Sequence, residues 1–133
     1  MSDHTATRVH AAVARFVGGD PAALLDLFAD DATWEVPGDN AMAGVHRGRD
    51  GILAFLRRTA ELTERTYHVE PLWILADDEH AVVVYRARGR RPDGRELDVE
   101  QALLVDVAGG LWRRARAQPL DQAAFDAFWG PPP

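Results

Sequence analysis

A chain of 133 residues, 47% hydrophobic and 27% charged, has the length for one domain and enough apolar residues for a core, with no length to spare for a second domain. Its formal net charge of −6 argues against a nucleic-acid binder, which needs a basic face. The absence of cysteine excludes disulfides, thiolate nucleophiles and sulfur-ligated metal sites. No basic-then-apolar leader opens the chain, and no apolar run approaches the ~20 residues that span a bilayer. A cytoplasmic protein without membrane contact is therefore expected. Many of the basic residues fall in two clusters, Arg86 to Arg95 and Arg113 to Arg116; either they make a local basic face or they solvate strand edges.

In chain order, Val9, Ala12, Val13 and Phe16 recur at helical spacing, so a helix is expected from about Thr5 to Val17. Gly18 and Gly19 end it. Asp20 is placed to cap a second helix that starts at Pro21, buries Leu24, Leu25 and Phe28, and closes at Asp30 and Asp31. Thr33 to Val36 alternates, with Trp34 and Val36 on one face and Glu35 on the other, and reads as a short strand. Asp39 to Arg49 reads as a loop. Asp50 is placed to cap a third helix whose stripe is Ile52, Phe55, Leu56 and Leu62.

Strands follow at Thr66 to Ala76, Ala81 to Arg90, Glu96 to Val107 and Leu111 to Gln118, joined by turns at Asp77 to His80, Pro92 to Gly94, and Gly109 and Gly110. Pro71 marks the first of these as an edge strand or a bulged one. Asp121 is placed to cap a last short helix carrying Phe125 and Phe128. Consecutive hairpins imply an antiparallel meander, and helices on one face of it make the fold α+β.

This order resembles the nuclear transport factor 2-like superfamily, which includes ketosteroid isomerase, the SnoaL-like polyketide cyclases and limonene epoxide hydrolase. The resemblance rests on Gly19-Asp20, on Leu27 to Trp34 running into the first strand, on Val36-Pro37-Gly38, on Gly44 and His46 to Arg49, on Gly109-Gly110, and on the closing segment Asp121 to Trp129. It implies a cone-shaped α+β barrel in which three N-terminal helices pack on a curved antiparallel sheet around a ligand pocket. It also implies a homodimer through the outer sheet face, where Trp112, Arg114, Arg116 and Gln118 are expected to form one file. Set beside the isomerase, the general-base position holds Val36, the oxyanion-binding tyrosine position holds Ala12, and the protonated-aspartate position holds Gln101, so that chemistry is not retained. Limonene epoxide hydrolase needs two aspartates and an arginine; Arg86 or Arg88 would serve as the latter, with no matching pair of inward aspartates.

Gln101 is the most informative polar residue. It interrupts the apolar file Leu97, Val99, Leu103 and Val105, and an amide among apolar side chains must find partners or carry a cost. It would hold a ligand carbonyl, or an enolate more strongly; a core glutamine satisfied by backbone or water fits the pattern as well. Tyr85 is a second candidate donor. His46 and His68 are the candidate acid–base residues, while His4, His10 and His80 are expected to face solvent. Glu70 becomes a candidate base only if a bulge at Pro71 turns it inward. Trp34, Val36, Phe55 and Trp73 are candidate pocket walls, and Ala115 and Ala117 leave room above the sheet for a pocket floor. No metal-ligand spacing, phosphate-binding loop or dinucleotide fingerprint is present, so neither metal nor cofactor is expected. Two readings stay open. One is a SnoaL-like enzyme that cyclises or isomerises an apolar, carbonyl-bearing molecule by proton abstraction next to the carbonyl. The other is a non-catalytic binding domain or carrier for a hydrophobic small molecule. A scaffold with a filled cavity is a third and lesser one.

Overall fold

The computed structural model describes residues 2–132, and their side chains from Thr7 onward apart from that of Pro21; the expectation for His4 lies outside the described side chains. Helix α1 spans Ser2–Val17, α2 Gly48–Leu62 and α3 Gln122–Trp129. The strands are β1 Phe28–Val36, β2 Gly44–Arg47, β3 His68–Ala76, β4 His80–Arg90, β5 Glu96–Ala108 and β6 Leu111–Pro119. They form one six-stranded sheet in the order β2-β1-β6-β5-β4-β3. The sheet is curved and open, with β2 and β3 at its edges, and the helices cover its concave face. The fold is the expected α+β, with one refinement. The hairpin pairings are antiparallel, but β1 joins β6 in parallel, because the chain leaves β1 through β2 and α2 and returns to it only at its far end.

Several local expectations change. The second helix is a 3₁₀ segment, Pro21–Leu27, and Asp20 makes no side-chain cap; its carboxylate lies 3.3 Å from Arg15 instead. Asp30 and Asp31 do not close a helix but lie exposed within β1, which begins at Phe28. A register shift between Phe28 and Thr33 hides this strand from a two-residue pattern, since Ala29 and Ala32 are both buried. The expected loop contains β2, which is short and mostly exposed and owes its existence to pairing with β1. α2 starts at Gly48 with Arg47 in the capping position; Asp50 lies in its first turn, where a negative charge suits the helix dipole. Asp121 does cap α3, accepting from the Ala124 amide at 3.0 Å.

Two bulges decide which side chains face the interior. In β3, Pro71 is level with Tyr85 but Trp73 is level with Val84, so Leu72 is an extra residue and every later side chain is turned over. In β6, Arg114 is level with Asp106 but Trp112 with Val107, so Arg113 is the extra residue. Trp112 therefore lies inside, 2% exposed, and Trp73 outside, 50% exposed. Both placements reverse the simple alternation: Trp112 does not stand in the outer arginine file, and Trp73 is not a pocket wall.

Candidate functional site

β5 runs next to the middle of the sheet, and its inner file puts Leu97, Val99, Gln101, Leu103 and Val105 toward the helices, all buried. Above this file a cavity lies between the concave face and the helices. The lining comes from all sides: Phe16 of α1, Trp34 and Val36 of β1, Phe55 and Thr59 of α2, Tyr67 ahead of β3, Tyr85 of β4, Gln101 and Leu103 of β5, Trp112 and Ala117 of β6, and Phe125 and Trp129 of α3. About 70 Å³ is open to the centres of water-sized molecules, several times the roughly 10–15 Å³ that one water needs.

Two of the cavity's polar side chains are bonded to each other. Tyr85 and Gln101 face each other across β4 and β5. The Gln101 amide donates to the Tyr85 hydroxyl at 3.4 Å, and both residues are buried. Burial also pushes the Tyr85 phenol well above its ordinary range, against a smaller opposing effect of Gln101. The Tyr67 phenol is raised for the same reason, and by the nearness of Tyr85. Both phenols therefore stay neutral donors. Gln101 Oε1, Trp34 Nε1 and Trp129 Nε1 are buried with no partner among the described residues. Among the described residues no carboxylate, histidine or arginine lines the cavity.

The other predicted residues divide. Trp34, Val36, Phe55, Tyr85, Gln101 and Ala117 are brought together as expected. Ala115 is fully buried on the same inner face, level with Trp34 and Val105, and is not part of the lining. His46 lies one ring outside: it stacks on Phe55 at 4.3 Å, and its Nε2 is 3.1 Å from the Met42 carbonyl, which fits a donating Nε2–H. His68 is exposed and level with Arg88, far from the pair. Glu70 is exposed and level with Arg86 on the outer face; the bulge begins after it and leaves its direction unchanged. Arg86 also points outward, to Asp98 at 2.6 Å, and Arg88 joins the same carboxylate.

Sequence reasoning missed Met42, Tyr67 and Trp129 as walls, and misplaced Trp112. The spacing of Phe125 and Trp129, one helical turn apart, was a usable signal. Met42 comes from the segment between β1 and β2, which crosses the pocket as a strap. Asn40 on this strap is buried and donates to Asp126 at 2.6 Å and to the Pro37 carbonyl at 3.2 Å, while its Oδ1 accepts from the Met42 amide at 2.9 Å. Gln122 donates to Asp126 at 2.9 Å, and the Ala41 amide donates to the Gly130 carbonyl at 2.9 Å. At the other end of α3, Arg91 donates to the Trp129 carbonyl at 2.8 Å and Arg95 to that of Ala127 at 3.0 Å, which suits cations at a helix C-terminus. Among the described residues no group of three or more His, Asp and Glu is placed to hold a metal, and no helix is long and apolar enough to cross a membrane.

A curved sheet with helices on its concave face, enclosing a largely apolar cavity, is the architecture of the nuclear transport factor 2-like superfamily. The chain belongs to the SnoaL-like domain family of that superfamily, whose model matches residues 9–115. An uncharacterized protein of Mycobacterium tuberculosis is 41% identical over 117 residues, which are 87% of this chain and 88% of that protein. Among solved structures, Bal32a from a soil-derived mobile gene cassette superposes with a TM-score of 0.88 at 31% identity, over 97% of this chain and 98% of its own. A nuclear transport factor 2-like protein from Burkholderia xenovorans LB400 shares the fold with a TM-score of 0.78 at 24% identity, over 98% of both chains.

Proposed function

We propose that this protein binds an apolar, carbonyl-bearing small molecule and orients its oxygen with Tyr85 and Gln101. The observation that carries this reading is the composition of the cavity: aromatic and aliphatic walls, a buried neutral hydrogen-bonding pair, and no acid or base on the lining among the described residues. A general base must reach the proton it takes directly or through one water, whereas a carrier needs only apolar walls and orienting donors. The test is titration with α-tetralone, a bicyclic aryl ketone, followed by quenching of tryptophan fluorescence and by thermal shift. Saturable quenching with a raised Tm supports binding, and a flat response in both, with 2-quinolone equally without effect, sinks the proposal.

A second reading, cyclisation or isomerisation through an enolate, is favoured by the same pair, because preorganised neutral donors stabilise a developing oxyanion. His46 is its candidate base, since the ring stacks on the wall residue Phe55. α-Tetralone tests this too: protein-catalysed deuterium exchange at the carbon next to the carbonyl, lost in His46→Ala, is its expected signature.

The outer sheet face is proposed as a homodimer surface. The exposed Trp73 and Leu75 sit level with Val84 and Val82, which are level in turn with Ala102 and Leu104. Apolar patches of this kind mark association sites. Here the patch lies between two ion pairs, Arg86–Asp98 and Arg114–Glu35, which present both signs of charge to an identical face.

A further inference from the structure

Tyr85 and Gln101 together own more hydrogen-bonding groups than they use on each other. A tyrosine hydroxyl offers one donor and accepts; a glutamine amide offers an acceptor oxygen and an NH₂ group with two donors. With the amide nitrogen toward Tyr85, as here, the phenol proton is free and Gln101 Oε1 is buried without a partner. If the amide is turned over, the phenol donates to the oxygen, and the free groups become the amide NH₂ and the phenol lone pair. In either arrangement one bond inside the pair consumes one donor and one acceptor. Two donors and at least one acceptor therefore remain on a pair of side chains that line a cavity with room for a guest. A plain ketone answers only donors and leaves the acceptor dry, which is costly for a buried polar atom.

We infer that the ligand is uncharged and carries a donor and an acceptor on neighbouring atoms, as a lactam, an enol beside a carbonyl, or a hydroxy-carbonyl does, and that Tyr85 and Gln101 select it over carbonyl compounds that lack the donor. This inference rests on the pocket reading above and narrows it. An ionised ligand is disfavoured for a separate reason: among the described residues no charged side chain lines the cavity, and burying an unpaired charge is expensive.

The test compares three flat bicycles of nearly equal size: 2-quinolone, with N–H beside C=O; coumarin, with ring oxygen in place of N–H; and naphthalene, with neither. Dissociation constants come from tryptophan quenching or calorimetry. The expected result is 2-quinolone at least about tenfold tighter than coumarin, the factor that one unmet buried hydrogen bond corresponds to. The double variant Tyr85→Phe/Gln101→Leu should bring that ratio close to one while still binding naphthalene, which shows that its cavity is intact. Equal or tighter binding of coumarin by the unaltered protein would overturn the inference but leave the pocket reading standing. A preference for 2-quinolone that survives in the double variant overturns it as well. Failure of all three bicycles to bind removes the pocket reading and this inference together.

Discussion

Asn40, on the strap between β1 and β2, donates to Asp126 in the middle of α3 over 2.6 Å. This bond ties together two covers of the cavity, since Met42 lines it from the strap and Phe125 and Trp129 from the helix. The strap is held both by the burial of Met42 and by these polar anchors.

Removing Asn40 should therefore cost more than an ordinary polar deletion. Asn40→Ala strands part of the Asp126 carboxylate and the Met42 amide, and a loss of about 1–3 kcal/mol is expected in denaturant unfolding. Asn40→Asp should be worse near neutral pH, because it sets a second carboxylate against Asp126.

The same contact predicts an acid response. Asn40, and to a lesser degree Gln122, hold the Asp126 carboxyl below its ordinary 3.8, although partial burial opposes them. A carboxyl lowered in the folded state contributes stability that is complete above its unfolded pKa and is lost as pH falls through the lowered value. Stability should be insensitive to this group from pH 5 to 7 and should fall below about pH 4. Asp126→Asn should start less stable and decline less on acidification. Parallel acid titrations of the two proteins, followed by circular dichroism, check it.

Gly38 supplies a backbone test of the strap. Its φ is +99°, and a Cβ there would collide with Asp126 and Gln122. Gly94 has a similar φ of +96° but open space around it. Gly94→Ala should cost about 1 kcal/mol from backbone strain alone. Gly38→Ala should cost clearly more, and should also weaken ligand binding by lifting the strap. Equal losses in the two variants would mean that the strap yields freely.

Trp112 and Trp73 should behave as opposites. Trp112→Ala empties a site in the aromatic cluster, where Phe28 meets it edge-on at 5.3 Å, and about 3–5 kcal/mol is expected. Trp73→Ala should change stability at high dilution by less than about 0.5 kcal/mol. Under the dimer proposal, Trp73→Arg should shift sedimentation from dimer toward monomer; an unchanged sedimentation coefficient would count against that surface.

Binding of a neutral ligand should not vary between pH 5 and 10. The phenols that line the cavity, Tyr67 and Tyr85, are both raised by burial, so neither loses its proton in that window. Affinity that falls toward pH 10 would show a phenol ionising and would contradict the neutral pair.

Much of the fold was legible because its signals are local. The inner file of β5 alternates without interruption, so Gln101 stood out as one amide among apolar side chains, and Tyr85 is its partner across a ladder without bulges. Trp34 and Val36 share a face for the same reason. What was not legible depended on inserted residues. Nothing in Leu72 or Arg113 announces that it is the extra residue of a bulge; partner strands impose that choice, and each insertion moved a tryptophan to the opposite face. β2 was missed because its side chains are mostly exposed and its stability comes from the ladder. The strap was missed because its anchors lie some 85 residues away in sequence, as with Gln122 and Pro37.

The parallel seam between β1 and β6 has a consequence for how the chain is made. Thr33 to Glu35 pair with Arg114 to Arg116, so β1 waits without its central neighbour until almost the whole polypeptide has left the ribosome. Contacts of such wide separation form late and slow folding, and an unpaired strand edge is exposed in the meantime. Until β6 arrives, β1 has only β2 beside it, and the side of Trp34 and Val36 that meets β6 in the finished sheet stays open.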